Sequence, residues 1–84
     1  MSRLTALRIC ASALASRLDA VGERDAAQPL RSATDPAAIA RTSQAANDGL
    51  LVTCGDDRLI DDLCTLTLAA RDAARDGNAA QVAL

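Results

Sequence analysis

The chain has 84 residues, half of them apolar, and nine cations against eleven carboxylates leave a net charge of −2. All nine cations are Arg, alanine fills 20 positions, and Phe, Trp, Tyr, His and Lys are absent. Without His or Lys, imidazole acid–base catalysis, Schiff-base chemistry and imidazole-held metals are excluded. The missing aromatics remove any platform for stacking bases, and the negative charge disfavours a nucleic-acid partner bound through its phosphates.

This composition predicts a single small domain, 1–84, rather than a disordered tail. Its core relies on Leu, Ile, Val and Ala without aromatic bulk, so completion by homo-oligomerisation is expected. No apolar run approaches the roughly 18 residues needed to cross a bilayer, and the apolar stretch before residue 21 is interrupted by Arg3, Arg8 and Arg17. The odd count of three cysteines, Cys10, Cys54 and Cys64, has no framework spacing, so a reduced, cytoplasmic setting is expected.

The first element is a helix over roughly 2–22. Leu4, Leu7, Ala11, Leu14, Leu18 and Val21 recur at spacings of 3 and 4, which places all six on one helical stripe. On the opposite side Ala6, Ile9, Ala13, Ser16 and Ala20 make a strip of mostly small residues. Small side chains let a second helix approach closely, but Ala is also the best helix former, so a plain exposed face is the favoured reading of that strip, with Ile9 as the exception.

Gly22 and Pro29 then argue for a connector over 22–34, because glycine weakens a helix and proline disfavours helical geometry at Gln28. A second helix is predicted at 36–54, opened by Asp35 as N-cap and Pro36 at the first helical position. Asn47-Asp48-Gly49 inside it could mark a turn into an extended Leu50–Cys54 segment. A lone strand would lack a partner, which favours an unbroken helix.

The third predicted helix covers 57–76. Leu59, Leu63, Leu66, Ala70 and Ala73 form its stripe, with Leu68 on the opposite side. Gly77-Asn78 is its expected stop, and 78–84 its tail. The fold expected from these elements is all-α: a three-helix up-down bundle with the first and last helices as the main antiparallel pair.

Four carboxylates fall within Asp56-Asp57-Arg58-Leu59-Ile60-Asp61-Asp62, but the loop pattern of a calcium site is missing. Acids in the first turns of a helix cap free N–H groups and favour the positive end of its dipole, so a helix start is the simpler reading. The cysteines lack the close pair of a zinc site, and Cys10 and Cys64 lie at the flanks of their stripes, where core-edge thiols belong. Cys54, nearest a helix start, has the best claim to reactivity. No His or Lys exists to activate a hydroxyl, Asp alone is a poor base for one, and the four glycines are too scattered for a phosphate loop.

The function expected is therefore a non-catalytic protein–protein interaction module: a small adaptor, chaperone or inhibitor with no cofactor and no metal. Its candidate surface comprises Ile9, Ala13, Leu68, Asp61 and Asp62. An alternative is a thiol-dependent redox or metal-responsive regulator using Cys54 and Cys64. A nucleic-acid-associated regulator using Arg3, Arg8 and Arg17 is the third.

Overall fold

Ser2 opens the first helix by accepting the Thr5 N–H at its side-chain oxygen. That helix, α1, covers Arg3–Ala20 in the computed structural model, which describes residues 2–53 and 56–83, with side chains described at 2–52 and 56–76. It closes at Gly22, whose φ of 86° lies in the left-handed region. There the Glu23 N–H reaches the Leu18 carbonyl at 2.8 Å and the Gly22 N–H reaches that of Asp19 at 3.1 Å, the paired bonds of a glycine C-cap.

The chain is all-helical over the described residues, but it has four helices instead of three. The stretch expected as a connector contains α2, Arg24–Ser32. Pro29 sits inside it and forfeits one backbone bond. Ala27 and Leu30 are both fully buried, and complete burial of a leucine is worth about 1.5–3 kcal/mol, of the order of what the proline costs. Tertiary burial overrides the local signal here.

The third helix, α3, spans Pro36–Thr53. Asp35 caps it as expected, its Oδ1 accepting the Ala38 N–H at 2.7 Å. Asn47-Asp48-Gly49 continues this helix without a break, because Ala46, Asn47 and Leu50 all turn inward. The last helix, α4, spans Asp57–Ala83 with Asp56 as its cap, accepting the Leu59 N–H at 3.1 Å. It does not stop at Gly77-Asn78, and the segment expected as a tail is helical through Ala83. One glycine costs a helix only about 1 kcal/mol, and Ala79 and Ala80 are strong helix formers.

The four helices pack up-down-up-down in a rod of 44 × 20 × 18 Å. The most extensive contact is between α3 and α4, not between the first and last helices as expected, and the α2 backbone does not come close to that of α4. Ile39, Ser43, Ala46 and Leu50 of α3 and Leu59, Leu63, Thr67 and Ala70 of α4 are all buried, and the Ser43 and Thr67 hydroxyls bond across the contact. The expected stripes do line the core: Leu7, Ala11, Leu14 and Leu18 are buried on α1, and Leu59, Leu63, Leu66 and Ala70 on α4. Val21 lies past the end of α1 and stays 42% exposed.

Candidate interaction surface

Two ion pairs, Arg3–Asp76 and Arg17–Asp62, join α1 to α4 and mark their antiparallel register. Residue n of α1 is therefore level with residue 79 − n of α4, since 3 + 76 and 17 + 62 both equal 79. Between the two pairs lies a groove of about 330 Å³. Cys10, Ala13 and Leu14 form its α1 wall, and Leu66 and Ala69 line it from α4, with Asp62 at one end. Ala13 and Ala69 have no side chain beyond Cβ, which leaves the trough between the two helix backbones open.

Of the residues expected to form a surface, Ala13 and Asp62 come together here. Ile9 does not join them. It is 53% exposed on the outer line of α1, lining a shallow depression toward Arg31 and Ala33 instead. Leu68, 61% exposed, and Asp61 lie on the outer line of α4. The acidic run divides its labour: Asp56 caps α4, Asp57 stands in its first turn, and Asp62 pairs with Arg17.

A second groove, about 700 Å³, follows α3 and α4 on the other side. Its floor includes Ala37, Ala40 and Ala74, and Arg41, Arg71 and Arg75 rise around it. Arg71 donates to Gln44 Oε1 at 3.2 Å, and Gln44 Nε2 donates to Asp48 at 2.9 Å. Sequence reasoning missed this basic rim. The i, i+4 spacing of Arg71 and Arg75 was its one readable signal.

The thiols differ from expectation. Cys10 and Cys64 are both exposed rather than filling the edge of the core. Cys64 stands exposed at the rim of the α3–α4 contact. The buried Asn47 donates from Nδ2 to its Sγ at 3.2 Å, while Asn47 Oδ1 has no partner among the described residues. Cys54 lies outside the described residues. Among those described, no group of three Cys, Asp or Glu side chains is placed to hold a metal ion, and no helix is long and apolar enough to cross a membrane.

The described chain is thus an up-down-up-down four-helix bundle with open grooves between its helices, two of them walled by α4. It matches no known protein-family model, no curated protein and no solved structure.

Proposed function

We propose that this protein is a non-catalytic interaction module of the cytoplasm, an adaptor, chaperone or inhibitor that receives an amphipathic helix of a partner protein in the α1–α4 groove. One observation carries this reading: an open apolar trough between two helices packed in a single register, flanked by an ion pair on either side. Grooves of this kind take one apolar face of a helix, with anchors at i, i+3 and i+4. A preset register also reduces the ordering cost of binding. The alanines at 13 and 69 leave room for a larger anchor side chain from the partner.

The test is to fill the trough. Ala13 is exposed, so Ala13→Arg keeps the fold, which circular dichroism checks. Wild type, Ala13→Arg and the control Ala20→Arg, exposed and outside the grooves, are used as baits in lysate of the native host. A protein held by wild type and Ala20→Arg but lost with Ala13→Arg supports the reading. Identical retention by all three baits overturns it.

A further inference from the structure

The outer line of α4 carries a second, ordered stripe. Asp57, Asp61, Cys64, Leu68, Arg71 and Arg75 follow one another at spacings of 4, 3, 4, 3 and 4, and all six are exposed. That spacing confines them to about an 80° sector at 100° per residue, opposite the buried Leu59, Leu63, Leu66 and Ala70. Along the stripe the chemistry runs from two acids, through Cys64 and Leu68, to two arginines. Among the described residues Asp57 and Asp61 form no ion pair, Arg71 is bonded only to the neutral Gln44, and Arg75 stands 4.0 Å from Asp72.

From this order we infer that the exposed face of α4 is a homodimer interface, in which two copies pack α4 against α4 in antiparallel fashion. A two-fold axis between Cys64 and Leu68 sets residue n opposite residue 132 − n of the second copy. Asp57 then meets Arg75, Asp61 meets Arg71, and Cys64 meets Leu68, since each pair sums to 132. Both copies present the same patch to each other, as a closed two-fold contact requires. The parallel alternative would set acid against acid and Arg against Arg, so the charge order selects the orientation as well as the partner. Exposed ion pairs contribute little individually, and here their value lies in that selection, while Leu68 supplies the apolar centre.

The dimer face is separate from the α1–α4 groove, and the inference stands whether or not that groove is occupied. Sedimentation velocity on the full chain at tens of micromolar tests it. The wild type should sediment at twice its 8.6 kDa. Asp57→Arg/Asp61→Arg and Arg71→Asp/Arg75→Asp should each dissociate at least tenfold more readily, and an equimolar mixture of the two should recover a dimer. Leu68→Glu, at an exposed site, should be monomeric with unchanged helicity, and it stands in if a charge-swapped chain fails to fold. Ala13→Arg should remain dimeric, which separates this surface from the groove. A wild-type mass of 8.6 kDa throughout, or a dimer indifferent to both Leu68→Glu and charge reversal, overturns the proposal.

Discussion

Ser43 Oγ and Thr67 Oγ1 lie 2.6 Å apart in the buried contact between α3 and α4. Two protons serve three contacts there, because Thr67 also reaches the Leu63 carbonyl at 2.8 Å and Ser43 that of Ala40 at 3.2 Å. Each hydroxyl therefore has a backbone acceptor to fall back on when its partner is removed. Ser43→Ala and Thr67→Val are each expected to cost about 1 kcal/mol, with a coupling of about 0.5–1 kcal/mol in the double mutant. Urea denaturation of the four proteins measures this. Strict additivity would show that the cross-helix bond contributes nothing of its own.

Two leucines of α1 should respond differently to the same change. Leu18 is fully buried, whereas Leu14, 7% exposed, lines the α1–α4 groove. Leu18→Asp traps a carboxylate without a partner, at a cost comparable to the stability of a small domain, about 5–15 kcal/mol, and should abolish the helical circular-dichroism signal. Leu14→Asp can turn its charge toward the groove and should leave a folded protein with a lowered melting temperature. Equal melting curves for the two variants would contradict this placement.

The glycines at 22 and 49 predict opposite signs. At Gly22 the positive φ penalises any L side chain, so Gly22→Ala should destabilise by about 1–2 kcal/mol even though the space around it is open. Gly49 is helical, and nothing lies within 4 Å of an added Cβ. Gly49→Ala should therefore stabilise by about 0.5–1 kcal/mol through its helix propensity. Denaturant midpoints of the two variants should fall on either side of wild type.

Thiol reactivity checks the exposure of the cysteines. In a Cys54→Ala background, Cys10 and Cys64 should both react with a chromogenic aromatic disulfide under native conditions. Reaction only in denaturant would return them to the core. Reaction of Cys64 should slow in the α4-paired dimer, where it faces Leu68 of the second copy, and recover in Leu68→Glu.

Helix starts and inward faces were legible in the sequence because they depend on neighbours three and four residues away. Asp35 and Asp56 cap α3 and α4 through bonds within one turn. The stripes of α1 and α4 needed only the helical repeat to be read, and Leu7, Leu14, Leu18, Leu59, Leu63 and Leu66 are buried as it implied. The sequence by itself thus determined an all-helical chain and most of its core.

What tertiary structure alone decided was which faces meet. Alanine is as suited to an exposed helix as to a close helix–helix contact, so the Ala-rich stretches could not announce their partners. The α3–α4 pair dominates the bundle, yet Ser43, Asn47 and Thr67, buried in it, are polar and read locally as surface or turn residues. The nine-residue α2 was hidden because its support comes from Ala27 and Leu30 burying against other helices, while its local signals, Gly22 and Pro29, point the other way. Burial is a sum over distant neighbours, and no window along the chain contains it.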